Sequence, residues 1–218
     1  RIRYATNAGG AFAAETVDAV GGTDPKISIS PVNGEVLLLW RTDAGAVLLA
    51  RNTGSGWTQE EVSPRSSPGM VPWLGVDPAG RVYSVMAESS SVWAARREGF
   101  GWAWEQVSLF GSPDHTSAAF GPGGELHIAF HDASTGELKY ASKSGIFWNQ
   151  ETVHPHPGGN LGLYNAIAVF PSGRVAIVYY NSVQGDLWGA WKDPGGAWQH
   201  RLLDSVGDVG SYASIAVD

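Results

Sequence analysis

The chain has 218 residues, 43% of them hydrophobic and 16% charged, with 29 Gly, 10 Trp, no Cys and a formal net charge of −7. This composition suits one all-β domain with a substantial core and many tight turns, and the lack of Cys excludes disulfides, thiolate zinc sites and cysteine nucleophiles. The negative charge, with no run of Lys or Arg, argues against nucleic acid or an anionic membrane surface as partner, and no apolar stretch reaches the roughly 18 residues of a membrane-spanning helix.

The first segments with strand character are IRYAT (2–6) and FAAETV (12–17). KISIS (26–30), VLLLWRT (36–42), VLLAR (47–51) and WTQEEV (57–62) follow, and four pieces of the same kind then recur three times. They read PWLGV (72–76), VYSVMAE (82–88), VWAAR (92–96) and WAWEQV (102–107), then TSAAF (116–120), LHIAFHD (126–132), LKYAS (138–142) and WNQETV (148–153). The last full set is NAIAV (165–169), VAIVYYN (175–181), LWGAW (187–191) and WQHRLL (198–203), after which ASIAV (213–217) opens another copy. We name the four pieces A, B, C and D. Asn33-Gly34, Ala79-Gly80, Gly123-Gly124 and Ser172-Gly173 separate A from B, residues that tolerate the positive φ of a tight hairpin.

Fixed markers set the period. Ala stands at 5, 50, 95, 141 and 190, an aromatic at Phe12, Trp57, Trp102, Trp148 and Trp198, and an aliphatic residue at Val17, Val62, Val107, Val153 and Leu203. All-strand repeats of about 40 to 50 residues indicate a β-propeller or a related array. The expected architecture is a single all-β propeller domain over 1–218, with repeats at about 1–46, 47–91, 92–137, 138–186 and 187–218. Five four-stranded blades are expected, the closing blade built from both termini: C and D from residues 1–18 and A from 213–218. There are five copies of A, C and D but four of B, so the closing blade lacks one strand and its A and C stand about 10 Å apart. A and B are apolar almost throughout, as in strands covered on both faces. Glu15, Glu60, Glu105 and Glu151 repeat in D, with Arg201 breaking the column; charge on an outermost strand discourages edge-to-edge pairing.

Aligned in this way, the words Ser214-Ile215-Ala216-Val217-Asp218, Leu126-His127-Ile128-Ala129-Phe130-His131-Asp132, Leu138-Lys139-Tyr140-Ala141 and Glu151-Thr152-Val153 resemble a family of secreted bacterial propeller repeats. The resemblance covers the whole chain. It implies a propeller fold, an extracellular or cell-surface location and a lectin-like role rather than a sialidase, since no copy carries the Ser-x-Asp-x-Gly-x-x-Trp box of sialidases.

Binding chemistry is expected on the face that carries the variable D–A loops, Ala19–Pro25, Pro64–Val71, Leu109–His115, Pro155–Tyr164 and Ser205–Tyr212, and the B–C loops. The B strands end there in Thr42, Glu88, Asp132 and Asn181, beside Lys26, Asp114, His115 and Asn165 at the A-strand starts. Trp93 and Trp188 share a column at the start of C, and a tryptophan beside Asp, Asn or Glu suits a sugar ring. Candidate ligand residues are therefore Trp93, Trp188, Glu88, Asp132, His115, Asn165 and Asn181. Glu88, Asp132 and Asp114 form a candidate carboxylate set for glycoside cleavage, if they converge to within about 5 to 10 Å. No cofactor and no metal site are expected: His127 and His131 stand four residues apart on one strand, roughly 13 Å, and His154-x-His156 is a weak pair. His115 beside Asp114 forms a possible base.

These features point to a non-enzymatic binding module of an exported bacterial protein, with a glycan as partner, held on the loop face or in grooves between blades. The alternatives are a glycoside hydrolase or lyase, and a scaffold whose open blade docks a strand from another chain.

Overall fold

A computed structural model of the chain describes residues 1–63, 71–108, 111–155 and 159–217. Every regular element among them is a strand. The chain opens with β1 (Ile2–Thr6) and β2 (Ala13–Asp18), a two-stranded antiparallel hairpin. Four antiparallel four-stranded sheets follow in chain order. Blade 1 is β3 (Thr23–Ile29), β4 (Val36–Arg41), β5 (Val47–Asn52) and β6 (Trp57–Ser63); blade 2 is β7 (Trp73–Val76), β8 (Val82–Glu88), β9 (Ser91–Glu98) and β10 (Gly101–Gln106). Blade 3 is β11 (Pro113–Phe120), β12 (Leu126–Asp132), β13 (Glu137–Ser144) and β14 (Phe147–His154); blade 4 is β15 (Leu161–Val169), β16 (Val175–Asn181), β17 (Asp186–Lys192) and β18 (Gln199–Asp204). Among the described residues no helix is long and apolar enough to cross a membrane.

Each sheet pairs its strands in the order expected for A, B, C and D. The B strands are the driest, Leu126–Asp132 being buried at every position, because they are inner strands with a blade on either side. The hydrophobic clusters run across the seams. Leu74 of blade 2 packs with Leu37 and Leu39 of blade 1, Ala118 of blade 3 with Val85 and Ala94 of blade 2, and Ile167 of blade 4 with Ala129 and Tyr140 of blade 3. The β1–β2 hairpin joins blade 1 in the same way, with Ile2 and Val17 against Leu38 and Trp40. Dispersion and apolar burial across these flat faces hold sheet to sheet.

Three expectations change. Strand A begins earlier than the sequence pattern suggests. In β15, for example, Leu161–Tyr164 are already strand, although they read as the end of a long loop. The register also shows that β3 ends at Ile29, which pairs with Val36 as Phe120 pairs with Leu126, so the blade 1 copy of A is PKISI (25–29) rather than KISIS. Finally, residues 213–217 carry no strand. An A strand exchanges its ladder hydrogen bonds with B, and where no B strand is present it has no ladder to join. The described closing unit is thus the β1–β2 hairpin alone.

The glutamate column has a different role from edge protection. Trp57 Nε1 donates to Glu15 Oε1 at 2.8 Å, Trp148 Nε1 to Glu105 Oε2 at 3.1 Å and Trp198 Nε1 to Glu151 Oε2 at 2.9 Å. A cation from strand C of the same blade as the tryptophan joins at two of these seams: Lys143 Nζ lies 2.5 Å from Glu105 and Lys192 Nζ 2.6 Å from Glu151. At the seam of blades 1 and 2 Arg97 takes both oxygens of Glu60, at 2.6 and 3.1 Å, and the buried Trp102 Nε1 goes without a partner. Each glutamate therefore ties its blade to the next.

Candidate functional site at the channel mouth

The A-strand starts meet around one cavity of about 540 Å³, lined by Asp24 and Lys26 of blade 1, Val71 ahead of blade 2, His115 and Thr116 of blade 3, Tyr164 and Asn165 of blade 4, and Tyr212 and Ala213 near the C-terminus. Five stretches equivalent in the repeat thus face one space, as sheets arranged around an axis require.

The backbone that puts them there is unusual. Asp24, His115, Tyr164 and Tyr212 hold equivalent places in the repeat, and all four adopt left-handed φ values of 56°, 42°, 50° and 57°. Non-glycine residues rarely do so, and such strain persists only where the surroundings impose it. In β3, β11 and β15 the ladder register slips at this point, which re-aims side chains as a bulge does. Asn165 pins the arrangement across the seam of blades 3 and 4. Its Nδ2 donates to the carbonyls of His115 and of Gly162, the latter at 2.7 Å, and its Oδ1 accepts from Ser117 Oγ at 2.5 Å. Gly162 has φ 103°, and a Cβ there would meet Leu138 at 3.0 Å.

Rings follow one another along this rim. His115 meets Tyr164 edge-on with centroids 4.7 Å apart, and Tyr164 lies 4.4 Å from Tyr212, which is 82% exposed. Beside them Asp114 touches two imidazoles: its Oδ1 lies 2.6 Å from His131 Nδ1 and 3.0 Å from His115 Nδ1. Burial alone would raise the pKa of Asp114, but the two imidazoles outweigh it and lower it to about 2.

Of the residues singled out from the sequence, the fold gathers Lys26, Asp114, His115 and Asn165 here. The others lie elsewhere. Asp132 is a hairpin cap whose Oδ1 accepts from Ser112 N, Ser134 N and Ser134 Oγ. Burial raises its pKa, the donors from Ser134 and Ser112 lower it further, and the carboxyl is held below its usual range. Asn181 caps the equivalent hairpin of blade 4, accepting from Val183 N and donating to Gln184; both are Asx turns. Glu88 closes the β8–β9 hairpin opposite Ser91. Trp93 packs on the cluster around Met86. Trp188 packs on that around Tyr179, against His154 at 5.1 Å, with its indole nitrogen buried and unpartnered. His154 faces Tyr179 Oη at 2.7 Å, while His156, the loop 64–70, Leu109 and Asp218 lie outside the described residues. His127 is bonded to Tyr140 Oη, and burial lowers its pKa.

Sequence reading missed His131, Tyr164 and Tyr212. The available signal for His131 was its position opposite Asp114, since β11 pairs the two. A second, smaller hollow of about 270 Å³ opens between blades 2 and 3 at the rim, lined by Tyr83, Arg96, Glu105, Glu125, Lys143 and Trp148 among others.

No family model and no curated protein matches the chain. Among solved structures it is similar to the six-bladed β-propeller lectin of Aleuria aurantia, with TM-score 0.60 and 12% identity over 94% of this chain and 72% of that one. In its complex with α-methyl-L-fucoside the values are 0.58 and 13%, over 87% and 65%. AofleA from Arthrobotrys oligospora gives TM-score 0.56 and 16% identity over 81% and 55%, and the intramolecular trans-sialidase from Ruminococcus gnavus 0.50 and 14% over 88% and 48%. At these identities the likeness establishes a β-propeller fold, and the chain spans only about half to three-quarters of those chains' length.

Proposed function

We propose that this chain is a carbohydrate-binding module of an exported protein and that it holds a saccharide at the channel mouth. The observation that carries this reading is the row of rings at His115, Tyr164 and Tyr212 beside polar Asp24, Lys26 and Asn165 in one open cavity. Sugar C–H faces stack on such rings and hydroxyls pair with such polar groups, and left-handed backbone holds the ring-bearing residues in place before any ligand arrives. The propeller relatives include a lectin in complex with a fucoside, which supports the saccharide class without identifying the sugar.

Glycoside cleavage is less well supported. A general acid needs a carboxyl whose proton is retained near neutral pH, whereas Asp114 and Asp132 are both held low.

A glycan array followed by titration calorimetry tests the reading. Tyr164→Ala and Tyr212→Ala should each weaken saccharide binding at least about ten-fold, the loss of roughly one good stacking contact, with Trp148→Ala as the rim control. Loss confined to Trp148→Ala would transfer the site to the hollow between blades 2 and 3, and no saccharide binding at all would overturn the proposal.

The finer architecture belongs to the same proposal. Five units surround the channel, and a B-like strand from another chain or another part of the protein completes the fifth. The exposed Ile27 and Ile29 on β3 favour this. A peptide with the VLLLWRT pattern should raise the melting temperature; no change across a concentration series would count against it.

A further inference from the structure

The geometry points to a divalent transition-metal site in blade 3 at the channel mouth, formed by Asp114, His115 and His131. A carboxylate oxygen of Asp114 and one ring nitrogen from each histidine all lie within 4.8 Å of one another. Donors on one tetrahedral zinc ion at about 2.0–2.1 Å sit about 3.3 Å apart, so small side-chain rotations would bring all three onto an ion.

Three separate features produce this convergence. The β11–β12 register sets Asp114 opposite His131. Consecutive residues of an extended strand point to opposite faces, yet His115 comes back beside Asp114 because its φ of 42° and the register slip break the alternation. Asn165 holds the His115 carbonyl from the neighbouring blade, and the edge of the Tyr164 ring braces the imidazole.

Two details indicate ligation rather than an ordinary polar cluster. His115 Nδ1 is 3.0 Å from Asp114 Oδ1, but it is buried without a hydrogen bond of acceptable geometry. Groups that share an ion aim at a third point rather than at each other, which gives this off-axis approach. His131 is 2% exposed, so one donor is already dry and fixed. The equivalent niches differ. In blade 1 it holds Thr23, Asp24 and Arg41, with the guanidinium bonded to both neighbours, and in blade 4 it holds Leu163, Tyr164 and Tyr180. Only blade 3, among these, offers three metal donors. Two imidazoles and a carboxylate suit zinc, nickel, copper or ferrous iron better than magnesium or calcium. His115 lines the cavity, so the remaining coordination positions open toward it.

The test uses metal salts alone and does not depend on the saccharide reading. The metal-free protein is titrated with zinc and with nickel chloride by calorimetry, and cobalt binding is followed by its visible ligand-field absorption. One equivalent should bind, the melting temperature should rise with zinc and not with magnesium, and His115→Ala and Asp114→Asn should each weaken binding at least ten-fold. Both variants should melt near the metal-free wild type, because both side chains are partly exposed. Absence of stoichiometric binding would overturn the site, as would zinc binding unaffected by either variant and abolished by His200→Ala at the stacked His154–His200 pair.

Discussion

Ile167 and Ile27 hold the same position in their blades, three residues beyond the left-handed residue of strand A, yet Ile167 is 7% exposed and Ile27 is 58% exposed. Ile167 meets Ala129 and Tyr140 of the preceding blade. Ile27, with Ile29 at 61%, faces the side where no described B strand stands. The D strands show the same contrast from the other direction: Val62, Val107 and Val153 are buried under the next blade, whereas the equivalent Leu203 is half exposed. A blade face is therefore dry only when its neighbour contributes strands A and B; neither the residue's hydrophobicity nor its own sheet keeps it dry. The clamp that glutamate, tryptophan and cation form between blades follows the same division. It recurs at the closed seams, but the copy that would join blade 4 to the first hairpin has Arg201 for the glutamate, Phe12 for the tryptophan and Asn7 for the cation, so these three positions cannot form the same clamp.

The strongest test of this contrast is the pair Ile167→Ala and Ile27→Ala. The first should cost about 2–4 kcal/mol in chemical denaturation, as buried aliphatic truncations do, and the second less than about 0.5 kcal/mol. Equal losses would mean that Ile27 is covered in solution. The clamp is the next test. Trp198→Phe keeps the ring but removes the donor to Glu151, and should cost about 1 kcal/mol. A double-mutant cycle on Glu105 and Lys143, which are partly exposed, should give a coupling of about 0.5 kcal/mol that fades in salt. Phe12→Leu, at an exposed position, should leave stability nearly unchanged.

A further test concerns acid. Asp132 has its pKa lowered in the folded chain, so it contributes stability at pH values above the ordinary carboxyl pKa of 3.8, and that contribution is lost as pH falls through the lower folded value. Asp132→Asn keeps the accepting oxygen and should flatten the acid limb of the stability curve below about pH 4, while the unfolding free energy at neutral pH falls by less than about 1 kcal/mol. An unchanged acid limb would show that the Ser112 and Ser134 donors do not favour the charged form.

Much of the fold was legible because it is written in local patterns. Strand alternation has a period of two, and hairpins need residues such as Asn33-Gly34, both visible within a few positions. The Ala, tryptophan and valine markers then repeat because each seam makes the same contact. The glutamate column was equally visible, but its partners lie 37 to 47 residues away on the next blade, so its chemistry read as edge protection.

By itself, then, the sequence determined the strands of the four full blades, their order within each sheet and the near-repeat that sets one sheet beside the next, because each depends on neighbours in the chain or on a contact repeated from seam to seam. Only the tertiary structure decided which polar residues meet. Asp132 and Asn181 turn inward to cap hairpins, while Asp114, His115 and His131 converge through a register slip and a left-handed residue that no periodicity encodes. The exposure of Ile27 was decided there too, because burial on a flat sheet face depends on the adjoining blade.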